Sequence, residues 1–358
     1  MISQKDIIVS VGAGKNQIPL IKEIRKQGYK CLSFDRNKNA EGFLISDYYA
    51  PISSYDFRSI IEYIEKNGFA DRLAGVLTRS TGMPVYSTAM IAKHFNLKYI
   101  TPEIAKLLTD KSLLIRKLNE LNIPSPKLII SDGSIPDDVE FPVFVKPSKT
   151  IKSHAGMSLC FNEFELKEAI AKAVAVSDNG KANIEEYLTG YDIVSIDFVN
   201  NGKIFHVCYL GELNKGKPDF VGAGWYIPPE DFTFAVKKTV HKFVEELSIK
   251  NGFFQIATKV SKDFQHAKIY EIHGEIGGDY TSDVFIPSCF DGYNLFKENI
   301  NFVLGKPLEK TKLKKKCAII FDCNQKGRYE IACFKGWKEL LKFVGTKRQE
   351  GIYFCNDD

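Results

Sequence analysis

The chain begins with an alternation of short apolar runs and amphipathic stretches. Ile7–Val11 is a β-branched apolar run, which reads as a strand buried on both faces. Gly12-Ala13-Gly14 turns the chain. Ile18, Ile21 and Ile24 then recur at helical spacing as far as Gly28, a helix stop. Lys30–Phe34 is the next strand and ends at Asp35. The pattern repeats with a helix at 56–66, a strand at Leu73–Leu77, a helix at 84–95 and a short strand at 99–100. Strands alternating with helices predict an open parallel sheet, with ligands at the carboxyl ends of its strands. Residues 12–15, Asp35 and 79–82 would share that edge.

After residue 100 the pattern changes. Thr101, Pro102 and Glu103 start a helix, and a second covers 111–121. Asn122-Ile123-Pro124-Ser125-Pro126 is a stiff extended connector. Strands follow at 127–131 and 141–146, a helix at 164–175, and strands at 182–188, 193–199 and 203–210. Asn200-Asn201-Gly202 joins the last two as a hairpin. Residues 211–229 contain Gly and Pro and predict a surface loop. A helix at 234–247 precedes an antiparallel pair, 252–260 and 268–272. A further helix at 294–304 is closed by Gly305-Lys306-Pro307. Two β-like pieces, 317–322 and Tyr329–Phe334, and a helix at 337–344 finish the chain. No internal repeat is present.

With 358 residues the chain can bury the cores of two or three domains. The net charge of +5 is small, and only KTKLKKK at 310–316 concentrates it, so no nucleic-acid partner is expected. The N-terminus enters a strand directly, without signal-peptide architecture, and no apolar stretch is long enough to span a bilayer. A cytoplasmic protein without membrane contact is expected. The eight cysteines form no CxxC pair. Cys31, Cys160 and Cys208 lie in apolar runs. The cysteines therefore read as small core residues in a reducing compartment, not as a disulfide frame or zinc site.

Candidate chemistry centres on FPVFVKPSKTIKSHAGMSL, residues 141–159. A strand ends at Lys146, fixed by Pro147, and a basic loop returns through Gly156 to a second apolar run. Lysine and loop amides of this kind can offset polyphosphate oxygens. Gly12-x-Gly14 with Asp35 resembles the start of a dinucleotide fingerprint, but Gln17 stands where its third glycine belongs. A tight turn in a Rossmann-like domain is the plainer reading, with NAD binding the alternative.

The middle of the chain carries an ordered set: Asp110-Lys111 at a helix start, NIPSPK, FPVFVKP, the basic glycine loop, IEEYLTGYD and EIHGEIGGD. That order resembles the ATP-grasp superfamily. The likeness is to stand-alone proteins similar to the carbamoyl-phosphate synthase large chain and biotin carboxylase, and it covers about residues 7–308. It implies an α/β and α+β protein: a Rossmann-like N-terminal domain (1–108), then an ATP-grasp fold of two α+β subdomains (109–188 and 189–308), with a small C-terminal extension (309–358).

The resemblance further implies an ATP-dependent, ADP-forming carboxylate–amine or carboxylate–thiol ligase working through an acyl phosphate, with an amino acid or amino sugar as candidate substrate. Lys111 and Lys146 match the two ATP lysines, and Ser153, His154 and Gly156 the glycine-rich loop. Glu185 matches the adenine acceptor. Glu186, Tyr187 and Leu188 would offer backbone bonds to the base, and Asp192 would hold the ribose. Lys146 and Glu271 are the catalytic candidates. Mg²⁺ would be held by Glu271, with Glu275 or Asp279 supplying a further oxygen. Here the sequence departs from the family pattern E-x-N-x-R: His273 replaces Asn, Glu275 replaces Arg, and Ala257 stands where a first carboxylate is expected, with Gln255 nearby. Arg79, Asp279, Thr281 and Ser282 are candidate substrate contacts. The implied partners are a small-molecule carboxylate and an amine, and helices of the N-terminal domain could pair two subunits. The departures leave a second reading, a nucleotide-binding protein without ligase chemistry.

Overall fold

The structure, a computed structural model, describes residues 5–136, 138–149, 155–214, 222–278, 280–321 and 329–349, the last six without side chains. Its first sheet holds β1 (Ile7–Val11), β2 (Lys30–Phe34), β3 (Tyr48–Ala50) and β4 (Leu73–Leu77), all parallel in the order β3-β2-β1-β4. The expected open parallel sheet is present. Its helices α1 (Ile18–Lys26), α2 (Phe57–Lys66) and α3 (Met83–His94) fall within a residue or two of the positions expected. Asp56 starts α2 by accepting the Ser59 amide. Residues 99–100, expected as a strand, take no part in any sheet.

Helix α4 (Pro102–Leu108) is capped by Thr101, and α5 (Lys111–Glu120) by Asp110, whose carboxylate accepts the amides of Ser112 and Leu113. The second sheet is antiparallel, with β5 (Leu128–Ser131), β6 (Val143–Pro147), β7 (Ser158–Cys160) and β8 (Ala182–Glu186) in the order β5-β8-β6-β7. Helix α6 (Glu163–Val176) buries Leu166, Ala169, Ile170 and Ala173 against it.

The third sheet has seven antiparallel strands in the order β13-β12-β9-β10-β11-β14-β15. They are β9 (Tyr191–Asn200), β10 (Lys203–Asn214), β11 (Gly222–Tyr226), β12 (Asn251–Val260), β13 (Ala267–His273), β14 (Lys316–Phe321) and β15 (Tyr329–Phe334). One face carries Ile196 and Phe198 against α1 and a later helix, α9 (Leu295–Val303). The other carries Ile193 and Val199 against α5 and α7 (Phe234–Glu246). Each large apolar side chain so buried contributes roughly 1.5–3 kcal/mol. The sheet therefore forms one core with α1 and α9 on one side and another with α3, α5 and α7 on the reverse.

Two expectations are corrected here. The stretch 211–229 is not a surface loop over its described parts: it completes β10 and supplies β11, with Ala223 and Tyr226 buried. Gly211 marks a close approach rather than a turn, because a Cβ there would lie 2.1 Å from the Tyr226 ring. The cysteines are not all free thiols, since Cys317 and Cys333 form a disulfide across β14 and β15, where the two residues face each other in register. Cys31, Cys208 and Cys289 are outside any disulfide and buried, and Cys160 is buried as well. Among the described residues no helix is long and apolar enough to cross a membrane.

Candidate functional site

The site is assembled from α5, the ends of β6 and β8, and strands β9, β12 and β13. Lys146, at the end of β6, projects to the same side as Glu185 on β8. Its Nζ is 2.8 Å from Glu185 Oε2, with both side chains buried. Glu185 Oε1 accepts from Asn183 Nδ2 at 3.2 Å. Asn183 is reached by the Ser112 hydroxyl at 2.7 Å, and Ser112 also hydrogen-bonds Ser148. This buried polar chain locks the first turn of α5 to the carboxylate that holds Lys146. Lys111, the first residue of α5, lies 3.0 Å from Glu271 Oε1 on β13. Glu271 holds the lysine above its ordinary range, and Glu185 adds to the effect, so the two lysines belong to one electrostatic cluster.

Asp192 opens β9 directly opposite Lys259 on β12. The ion pair measures 2.6 Å, and Asn214 Nδ2 donates to the second oxygen at 2.9 Å. Glu186 faces the edge of the fold, where it pairs with Lys268 at 2.6 Å and accepts the Lys127 amide. The amides of Glu186 and Tyr187 donate to the carbonyls of Lys127 and Pro142. Leu188 lies two residues beyond the end of β8. Gly156 is packed under α6, where a Cβ would meet Val176 at 2.6 Å. Ser153 and His154 lie outside the described residues.

Beyond β13 the chain meets the carboxyl edge of the first sheet. Arg79 is buried there, with Nη1 donating to the Asn16 carbonyl at 2.8 Å and Nη2 to the Gly277 carbonyl at 3.2 Å. Its guanidinium pairs with Asp283 and lies over the Phe296 ring. Gln17 secures the same corner by accepting the Arg79 amide and donating to Ser80. Thr81 donates to Glu275. Thr281 turns its hydroxyl back to the Gly278 carbonyl at 2.9 Å, and Ser282 is buried beside it. Asp279 lies outside the described residues. Asp35 accepts the amides of Ala13 and Asn37, so the acid at the end of β2 closes its own glycine turn.

Glu271, His273 and Glu275 form the remaining cluster. His273 Nε2 is 3.7 Å from Glu271 Oε2, and Nδ1 is 3.3 Å from Glu275 Oε1. Burial alone would raise the Glu271 carboxyl, but Lys111 and His273 hold it well below the usual range. Burial would likewise lower His273, but the two carboxylates hold it well above 6.5.

Magnesium needs a near-octahedral set of oxygens. Ala257 faces Glu271 across the ladder, and both oxygens of Glu271 face cations. Glu275 is shared by His273 and Thr81. Among the described residues no group of three or more His, Cys, Asp or Glu side chains is placed to hold a metal. The described side chains do not fit a metal held by the protein itself.

Sequence reading missed Lys259 and Asn183, because each meets its partner through strand register or across elements rather than by local spacing.

No family model matches the chain. A carbamoyl phosphate synthase large chain, C-terminal section, from Methanopyrus kandleri is 22% identical over 267 residues, 68% of this chain and 48% of the relative. The chain thus spans about half the length of that relative. An N5-carboxyaminoimidazole synthetase from Staphylococcus aureus, solved with ADP, superposes with a TM-score of 0.77 at 14% identity, covering 96% of this chain and 97% of that one. The chain has the ATP-grasp fold. An L-amino acid ligase from Bacillus licheniformis gives a TM-score of 0.73 at 16% identity, covering 99% and 100%. Both solved proteins share this ATP-grasp architecture over nearly the whole of the present chain.

Proposed function

We propose that the chain is an ADP-forming ligase that activates a carboxylate with ATP and joins it to an amine. The observation that carries this reading is the convergence of Lys111 and Lys146, each held by a carboxylate, at the junction of α5, β6, β8 and β13. In the proposed reaction a carboxylate oxygen attacks the γ-phosphorus of ATP, and ADP leaves. The amine nitrogen then attacks the acyl carbon, the C–O bond to phosphate breaks, and the amine proton is lost. Both steps need charge neutralisation and alignment more than a protein nucleophile.

In this reading Lys111 and Lys146 offset the phosphates, and Ser153, His154 and Gly156 are further phosphate-binding candidates. Glu185 takes the adenine amino group, residues 186–188 border the base, and Asp192 takes the ribose. Magnesium enters as part of the substrate, Mg-ATP. The carboxylate and amine would meet at Arg79, Thr81, Asp279, Thr281 and Ser282, where the first sheet faces β13. An amino acid or amino sugar suits this polar corner. A cytoplasmic location belongs to the same reading. So does pairing of two copies through helices of the N-terminal region.

The direct test is ADP release on addition of pooled carboxylates and amines, with Lys146→Ala as the control. Release that needs one carboxylate and one amine, and is absent in the variant, supports the ligase. Undiminished release in the variant removes the assignment. Ala257 and the pairing of Glu275 with Thr81 and His273 favour a second reading, nucleotide binding without ligase chemistry. That reading requires ADP binding with no turnover from any pool.

A further inference from the structure

We infer that β13 carries an ionic relay where a protein-held metal would sit, and that this chain binds its nucleotide without ligating a metal of its own. The inference rests on the nucleotide reading above and goes beyond it.

The relay runs Lys111, Glu271, His273, Glu275, Thr81. Its spacings are 3.0 Å from Lys111 to Glu271, 3.7 Å from His273 to Glu271 and 3.3 Å from His273 to Glu275, with the Thr81 hydroxyl closing the far end. Both ring nitrogens of His273 face carboxylates. A divalent ion at Glu271 would meet Lys111 at one carboxylate oxygen and the His273 ring at the other, and would have to displace one of them.

The neighbouring positions offer little in exchange. Ala257 presents a methyl group directly across from Glu271. Gln255, next along the same side of β12, spends its amide on the Glu275 carbonyl at 2.7 Å and packs against Gly277. Glu275 is 4% exposed, and its carboxylate is what Thr81 grips from the other sheet. Turning it toward a metal would release the tie between β13 and the carboxyl edge of the first sheet. The relay therefore performs two tasks: it neutralises the carboxylates that would otherwise call for a metal, and it links the nucleotide lysine to the candidate acceptor corner.

The test uses the full chain, Mn²⁺ as the metal probe and ADP as the nucleotide. Electron paramagnetic resonance should show no Mn²⁺ bound to the protein alone, and one per nucleotide once ADP is present. Calorimetry should give ADP affinities in Mg²⁺ and in EDTA that agree within about threefold. Stoichiometric Mn²⁺ binding without nucleotide would overturn the inference, as would a loss of ADP affinity in EDTA exceeding about tenfold. Absence of ADP binding under both conditions would overturn the nucleotide reading and this inference with it. The double variant A257E/H273N supplies a second carboxylate and removes the ring. If it retains the wild-type circular dichroism, it should gain Mn²⁺ binding and a metal-dependent ADP affinity. A folded variant that gains neither contradicts the inference.

Discussion

Lys146 Nζ lies 2.8 Å from Glu185 Oε2, and the two side chains are only 7% and 4% exposed. Truncating one partner of such a pair leaves a buried charge without compensation, which costs about 3–5 kcal/mol. Lys146→Met should therefore lower stability by that order and abolish nucleotide binding together. The double variant K146M/E185Q removes both charges. It should recover most of the stability in urea denaturation but none of the ADP binding in calorimetry. Recovery of both would separate the pair from the nucleotide.

Asp192 and Lys259 offer the same contrast at the other end of the site. Their contact is 2.6 Å across β9 and β12, and Asn214 completes the carboxylate. Lys259→Met strands Asp192 and should destabilise the fold by about 3 kcal/mol or more. Asp192→Asn keeps the shape and one acceptor, so its main effect should be an increase of about tenfold in the ADP dissociation constant. Matched urea melts and ADP titrations of the two variants check both statements.

The relay gives stability a specific pH dependence. His273 is held above its ordinary value of 6.5 in the folded chain. Its contribution is thus full below pH 6.5 and fades as pH rises through the raised folded value. Glu271 is held below its ordinary value of 4.5, so its contribution is full above pH 4.5 and fades as pH falls through the lowered folded value. Melting temperatures of the wild type and H273Q should differ most near pH 6 and converge on the alkaline side. A gap that widens with rising pH would contradict the charge assignment.

The Cys317–Cys333 disulfide clips the last two strands of the seven-stranded sheet. Closing a loop of this length removes about 3 kcal/mol of denatured-state entropy. Cys333→Ser should lower the unfolding free energy by that order, and non-reducing peptide mapping should recover the linked pair from the wild type.

How far the sequence foretold this arrangement depends on the range of each interaction. Caps are local, so Asp56, Thr101 and Asp110 marked the starts of α2, α4 and α5 to within a residue. The two lysines and Glu185 were legible because each stands at the end of an element. The stretch 211–229 misled, because Gly211 admits the Tyr226 ring and not a turn. The disulfide was invisible because it depends on the register of β14 and β15, which a sequence separation of 16 does not reveal. Thr81 with Glu275, and Arg79 with Asp283, join positions about two hundred residues apart, and only the packing of two sheets brings them together.

The central claim is acyl-phosphate chemistry at Lys146, and hydroxylamine tests it most directly because it intercepts an acyl phosphate whatever the natural amine. Full-length protein incubated with Mg-ATP, hydroxylamine and pooled amino acids and other carboxylates should yield a hydroxamate that depends on one carboxylate and vanishes in Lys146→Ala. Protein that binds ADP yet yields no hydroxamate from any pool would contradict the ligase assignment and favour nucleotide binding without chemistry.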